Sequence, residues 1–440
     1  MTGKENSTAI ERATIRKVAR RLIPFLFVLY IIAFLDRVNL GYAALEMNAA
    51  LGLSSEIFGL AAGIFFIGYF VFEVPSNVLL HSIGARVWIA RILISWGLIS
   101  MLTAWAQNAT HLYIIRFLLG VAEAGFFPGI ILYITYWFRA REQARAVSLF
   151  MVALPVANII GAPISTWVID HVHWMNMPGW RWMFVLEGLP AIIFGLITLV
   201  YLTDRPAVAK WLTSEEKAWL IAELEKEEGC KPKPVSKWDV FKDSAVWQFS
   251  LIYFTLAMGL YGLGFWMPTI IKAFSKLLSN TQVGLIAMIP YICGGLAMVY
   301  WARRSDRLAE RRLHTALPLI TGSLGLVGVG LSDNPYLSIV MMTIATIGIY
   351  SLFGPFWSFA NLFFSGGTAA VGIAVINSIG NLGGFLGPYA LGYMTKLTGS
   401  TKAGLYFLSA AMLVGFLLVL LLRPNRRFVS NAVASTNLVD

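Results

Sequence analysis

Charge is what this chain has least of. Asp, Glu, Lys and Arg together make up 13% of its 440 residues, against roughly 25% in a soluble globular protein. Too little charge remains to keep such a chain in water. Cysteine is rarer still: Cys230 lies in a charged stretch and Cys293 in an apolar run, which gives neither metal-ligand spacing nor a disulfide framework. The 5 histidines are dispersed too, with His81, His111, His171 and His173 in loops or at run ends and His314 opening a run. The His171/His173 pair reads as a solvated turn. With no metal cluster and no nucleophile–base pair, a membrane-embedded enzyme is disfavoured, and neither a metal nor a cofactor is expected. The formal charge of +11 could suggest nucleic acid, but its placement argues against that.

Apolar residues are abundant, 58% of the chain, and they are gathered into runs. A bilayer core about 30 Å thick needs roughly 20 apolar residues as helix. Such runs fall near 22–46, 57–80, 87–107, 111–137, 144–170, 180–202, 245–274, 282–302, 314–332, 336–362, 367–395 and 402–422. They predict an all-α membrane protein of twelve transmembrane helices in two six-helix halves. The expected parts are an N-tail over 1–21, a first half over 22–202, a linker over 203–244, a second half over 245–423 and a C-tail over 424–440. Within the linker, "LTSEEKAWLIAELEKEE" repeats Trp219, Leu220 and Leu224 at helical spacing, which predicts an amphipathic surface helix. The first run is too long for a signal-peptide core and lacks a small-residue cleavage site, so it is expected to be retained.

Lysine and arginine set the orientation. They crowd the N-tail, the linker, the C-tail and the loops after spans 2, 4 and 8, whereas the alternate loops hold only Arg181, Lys272, Lys276, Lys396 and Lys402. Both termini and the linker are therefore expected in the cytoplasm. The basic excess is a topology signal with some attraction to anionic lipid, and no nucleic-acid partner is expected. "HSIGAR" after span 2 and "RRSDRLAERRLH" after span 8 stand at equivalent places in the two halves, as in a transporter assembled from repeats.

An ionised side chain at mid-span costs at least about 2.5–3.5 kcal/mol on insertion scales, so each needs a reason. The first half holds Asp36, Arg37, Glu73, Arg91, Arg116, Glu123 and Glu187, while the second half offers mainly amides and hydroxyls. In "RFLLGVAEAGFFPG", Arg116 and Glu123 are seven apart, about two turns and on one face. A buried guanidinium is a fork for a carboxylate, and a carboxylate in apolar surroundings can take a proton near neutral pH. An ion pair that only locks helices is the alternative. In "IIAFLDRVNLGYAAL", Asp36 and Asn39 share a face while Arg37 points about 100° away. Asp36 reads as a proton site or a hydrogen-bond partner, and Arg37 as a substrate contact or the partner of an acid on span 4.

Glu73, in "VFEVPSN", precedes Pro75 and suits a kink or gate. Arg91 and Glu187 read as snorkelling groups near span ends. Span 10 aligns Tyr350, Gly354, Trp357 and Asn361, and span 11 sets Asn377 and Asn381 one turn apart. These faces suit either a cavity wall or helix packing. The pairs Gly380/Gly384 and Gly383/Gly387 suit close helix contact.

The stretches "FLDRVNLGYAAL", "FEVPSN", "GARVWIARI", "RFLLGVAEAGFFPGI", "EGLPA", "TDRPAVAKWL" and "SDRLAERRLH" carry a family resemblance. Together they resemble the anion:cation symporter branch of the major facilitator superfamily, from about residue 12 to 425. Bacterial members of that branch carry tartrate, phthalate, 4-hydroxyphenylacetate, galactonate and rhamnonate. The resemblance implies that Asp36 and Glu123 are proton sites and that Arg37 and Arg116 serve substrate or coupling. The superfamily's Asp-Arg pair after span 2 is reduced here to Gly84 and Arg86, but it survives after span 8 as Asp306 and Arg307. An inward gate latched mainly from the second half is the implication.

Moving one charge across 100 mV is worth about 2.3 kcal/mol, so an anion entering a negative interior needs protons beside it. A fixed cation and a titrating carboxylate are what such an importer requires, and span 4 supplies both. The expected activity is proton symport of a small organic carboxylate by alternating access, with the proton as coupling ion and the protein acting as a monomer in lipid. Asn39, Tyr350, Trp357, Asn377 and Asn381 join the arginines as candidate substrate contacts. The aromatics lean toward an aromatic acid, the amides toward a hydroxy acid. An efflux antiporter for cationic drugs is the nearest rival; it would be expected to carry unpaired cavity acids, whereas Arg37 and Arg116 bias this chain toward anions.

Overall fold

The computed structural model describes residues 2–229, 239–275, 277–363 and 367–422; Cys230, Lys276 and the expected C-tail lie outside them. The described residues form helices and no strand. In chain order these are α1 (Thr2–Ala50), α2 (Ser55–Ile83), α3 (Ala85–Leu102), α4 (Ala109–Glu123), α5 (Phe126–Thr135), α6 (Ala140–Met151), α7 (Ala153–His171), α8 (Gly179–Tyr201) and α9 (Ser214–Gly229). They continue as α10 (Ser244–Phe274), α11 (Asn280–Leu308), α12 (Arg312–Leu331), α13 (Pro335–Ser351), α14 (Phe353–Phe363), α15 (Gly367–Asn381), α16 (Gly383–Thr398) and α17 (Lys402–Leu421). Together they supply 12 stretches long and apolar enough to cross a bilayer.

Spans 4, 5, 10 and 11, expected as single helices, are each divided in two: α4–α5, α6–α7, α13–α14 and α15–α16. Proline explains three of the divisions. Pro128, Pro155 and Pro355 have no N–H to give to the carbonyls of Ala124, Met151 and Ser351, four residues earlier. Val152, Leu352 and Leu382 nevertheless keep right-handed helical angles, so those spans are loosened rather than redirected. Span 4 is different. Ala124 is extended (φ −52°, ψ 130°) and Gly125 is left-handed (φ 84°, ψ 0°), a conformation that favours glycine.

Contacts divide the chain into two compact units. The first comprises Met1–Lys231 with Gly264–Ile289, the second Pro232–Leu263 with Pro290–Asp440. In the first, α1 packs on α7, α2 on α4 and α3 on α8, which pairs spans 1 with 5, 2 with 4 and 3 with 6. The second unit repeats the scheme. Gly383 and Gly387 lie against Phe254 and Met258 of α10, Gly294 of α11 lies against Thr346 of α13, and α12 packs on α17. These are spans 7 with 11, 8 with 10 and 9 with 12, so the repeat suggested by the two loops is present in the helix pairings.

The linker helix α9 is seated on the first unit. Leu220 is fully buried, and Arg139 lies over the Trp219 ring at 4.9 Å. Arg139 also binds Glu11 (3.1 Å), Glu142 (2.6 Å) and Glu223 (3.3 Å), while Lys17 meets Glu216 at 2.7 Å. The amphipathic helix expected from the sequence thus buries Leu220 and pairs two of its acids, Glu216 and Glu223, with basic residues of the first unit.

The α2–α4 crossing is tight at Gly120, where an added Cβ would overlap the Phe65 carbonyl; at Gly129 it would meet only the flexible end of Leu80. Alanine is worth about 0.8–1.0 kcal/mol over glycine in a helix interior, but overpacking a backbone contact costs about 1–3 kcal/mol. Gly120→Ala is therefore expected to lower the melting temperature of the detergent-purified protein, and Gly129→Ala to leave it unchanged or raised. Equal melting temperatures for the two variants would show that this crossing is not tight.

Candidate functional site

Four of the ionisable residues that interrupt the first half meet in the first unit. Asp36 and Arg37 on α1 are 1% and 8% exposed, and Arg116 and Glu123 on α4 are each 1% exposed. Successive helical residues diverge by about 100°, so Asp36 and Arg37 serve different neighbours. Arg37 forms a salt bridge through Nη2 with Glu123 Oε1, which realises the ion-pair reading of that residue. Its guanidinium lies 5.3 Å from the Phe65 ring, and that of Arg116 lies 5.1 Å from the same ring, so one aromatic ring serves two cations. Arg116 Nε donates to the Ala61 carbonyl at 3.4 Å. Its Nη2 is buried with no hydrogen-bond partner.

Asp36 turns toward α3. Trp96 Nε1 donates to its Oδ2 at 2.7 Å, and Ser100 Oγ and Asn39 Nδ2 reach Oδ1 at 3.2 and 3.4 Å. All three donors are neutral. Glu123 is the last residue of α4, immediately before the break at Ala124–Gly125. A helix C-terminus carries partial negative charge, so a carboxylate there has particular need of a cation, and Arg37 provides it.

Two expectations are corrected. Arg91 does not snorkel: it is half-buried, reaches the Ala122 carbonyl at 3.5 Å and stacks over Trp88 at 3.9 Å. The freed carbonyl end of α4 explains its inward course, and the unexpected break explains why the sequence concealed it. Glu187 is not at a span end either. It lies well inside α8, is 5% exposed, and accepts from Ser165 Oγ at 2.6 Å. Ser100, Ser165 and Trp96 had no signal beyond being polar-tipped residues in apolar runs.

The remaining candidates belong elsewhere. In the second unit Tyr350 is 1% exposed, with its ring 6.2 Å from that of Tyr291. Trp357 lies 5.1 Å from the Tyr253 ring, and Gly380 makes room for that same ring. Tyr253 therefore joins the polar faces of spans 10 and 11, and sequence reasoning overlooked it. Asn377 is buried, Asn381 is half-buried at the end of α15, and Asn361 is exposed. Among the gate candidates, Glu73 is 3% exposed two residues before Pro75. Asp306 pairs with Arg311 at 2.6 Å, and Arg307 is exposed. Arg86 has an acid after all: Asp204 accepts its backbone N–H at 2.8 Å and faces its guanidinium at 3.7 Å. The acid missing from "HSIGAR" is supplied from "TDRPAV".

Removing one partner of a buried ion pair costs about 3–5 kcal/mol when the other stays charged. Arg37→Met is expected to lower the melting temperature in detergent, increasingly as pH rises and Glu123 is forced to ionise alone. Arg37→Met/Glu123→Gln should recover most of that loss. A single variant as stable as wild type from pH 5 to 9 would mean that the pair contributes nothing to folding.

The sequence matches the family profile of the Major Facilitator Superfamily over residues 26–388. It is 48% identical over 414 residues to an Agrobacterium vitis protein named "Putative tartrate transporter", covering 94% of this chain and 92% of that one. It is 40% identical over 410 residues to a quinolone resistance transporter of Acinetobacter baumannii, covering 93% and 94%. Among solved structures, the xylose transporter XylE of Escherichia coli in a partially occluded inward open conformation shares the fold, with a TM-score of 0.76 at 13% identity over 93% of this chain and 98% of that one. Twelve apolar spans, two units with the same helix pairings, and a match through most of the chain identify this multi-pass membrane protein as a transporter of the Major Facilitator Superfamily.

Proposed function

We propose that this transporter takes up a small organic carboxylate together with protons, by alternating access in the bacterial inner membrane. The observation that carries the reading is the buried guanidinium of Arg116, whose Nη2 has no partner. A buried polar group without a partner costs about 1–3 kcal/mol, and more when charged. A carboxylate binding there regains that cost through a charge-assisted bond. Similarity to the tartrate transporter supports a hydroxy diacid as the first substrate to try.

The Arg37–Glu123 pair suggests how proton and anion are linked. Arg37 can serve Glu123 or an incoming carboxylate, and a proton on Glu123 frees it for the second. Substrate binding is then favoured when Glu123 is protonated, which is the condition for symport. Asp36, held by neutral donors, is a second group that can change protonation without breaking an ion pair. One proton renders a monoanion neutral, and each further proton makes entry more favourable by about 2.3 kcal/mol at 100 mV. The 40% identity to a quinolone resistance transporter favours a second reading, in which the same proton sites drive export.

Reconstituted vesicles separate these readings. Labelled tartrate should accumulate when the outside is made acidic, and a quinolone should neither accumulate nor compete. Arg116→Lys keeps the charge but loses the fork, so uptake should fall about 10- to 100-fold, as expected for a charged hydrogen bond worth about 1.5–3 kcal/mol. Asp36→Asn and Glu123→Gln should lose accumulation driven by the pH gradient while retaining exchange of preloaded substrate. Proton-driven quinolone transport that tartrate does not inhibit would favour export, and accumulation undiminished in both carboxylate variants would make those residues structural.

A further inference from the structure

Glu187 is a buried carboxylate that the foregoing account leaves without a task. Its Oε1 accepts from Ser165, and its Oε2 is buried with no hydrogen-bond partner. Among the described residues no Lys, Arg or His pairs with it. Asn39 lies beside it as well as beside Asp36, so one amide stands between two acids. The groups that face this pair can be named helix by helix. α1 contributes Asp36 and Asn39, α3 contributes Trp96 and Ser100, α7 contributes Ser165, and Glu123 and Arg116 of α4 act on Asp36 at longer range.

Desolvating a single unpaired ion costs several kcal/mol, so two neighbouring carboxylates do not both ionise while the site is closed to water, and both protons leave only when alternating access opens it to solvent. Asp36, with three donors, is the better-supported anion of the two. Glu187, with one oxygen unserved, is the better seat for a proton. Interacting acids of this kind titrate as a unit.

We propose that Glu187 binds and releases a proton in each transport cycle, as the partner of Asp36 across Asn39, so that the protein carries one proton more than Asp36 and Glu123 supply. The inference rests on the reading of this protein as a proton symporter. It gives that reading a charge balance suited to a diacid: two protons neutralise a dianion, and a third lets the membrane potential drive entry.

Thermodynamics supplies the measurement. For n protons per substrate, the limiting accumulation rises 10ⁿ-fold per unit of pH difference, since each proton contributes about 1.36 kcal/mol per unit. Wild-type protein and variants are reconstituted, and tartrate accumulation is measured against the imposed pH difference at zero potential, then against potential at fixed pH difference. Glu187→Gln, with the Arg37–Glu123 switch intact, is expected to transport but to lose one unit of slope, a tenfold fall in accumulation at a difference of one pH unit. Its uptake should also respond less to potential. Glu187→Asp, which keeps the carboxyl, should retain the wild-type slope, and Glu187→Ser, an independent removal of the carboxyl, should repeat the loss. A wild-type slope in both Glu187→Gln and Glu187→Ser, with Asp36→Asn and Glu123→Gln still defective, would overturn the role of Glu187 alone. Wild-type accumulation indifferent to pH difference would remove proton symport and this inference together.

Discussion

The cost of holding charge in an apolar interior governs the first unit. Arg37, Glu123, Arg116 and Asp36 are each at most 8% exposed, and the effective penalty for such burial is several kcal/mol per ion. The surrounding structure is arranged to meet it. Phe65 presents its ring to two guanidinium groups, Trp96 and Ser100 serve one carboxylate, and the end of α4 places the other within reach of Arg37. On the reading proposed above, the penalty also bears on transport. A group that is costly whether charged or neutral, depending on its neighbour, is one whose state a passing ion can change.

The second unit repeats the helix pairings of the first, but among the described residues it buries no Asp, Glu, Lys or Arg. Tyr350 and Tyr291, and Tyr253 and Trp357, make ring contacts there. On the reading proposed above, such a division separates two demands. Ion coupling needs a fixed set of charges, whereas substrate choice can vary through aromatic and amide positions without disturbing them. Relatives sharing 40% or more identity with this chain carry names for different cargoes.

Much of this was legible in the sequence because lipid is a severe solvent. A run long enough to cross it is visible by composition, and Asp36, Arg37, Arg116 and Glu123 stood out because they are the charged residues in the interior of their runs, with Glu46 only at the end of the first. Three kinds of feature were hidden. Breaks within spans depend on the hydrogen bond a proline fails to make four residues earlier, and at Gly125 on a positive φ. Partners such as Ser165 and Trp96 depend on which helices meet, which no single span reveals. Glu187 was misjudged because a position about two turns into its run was treated as an end residue, whereas packing of α3 and α7 against α8 makes that position interior.

The seating of the linker has a consequence for biosynthesis. The sixth span ends at Tyr201, yet the bundle of the first six spans still lacks several of its polar contacts at that point. Asp204 must reach Arg86, the Thr203 carbonyl must receive Tyr133 Oη at 2.8 Å, and Glu216, Glu223 and Glu227 must meet Lys17, Arg139 and the Ala140 N–H. All of these acceptors leave the ribosome after the sixth span. Domains commonly fold in order of synthesis, but here six inserted helices wait for a short polar stretch before they can close. A nascent chain halted at residue 202 is a six-helix bundle without its clasp, and one halted past residue 229 carries it.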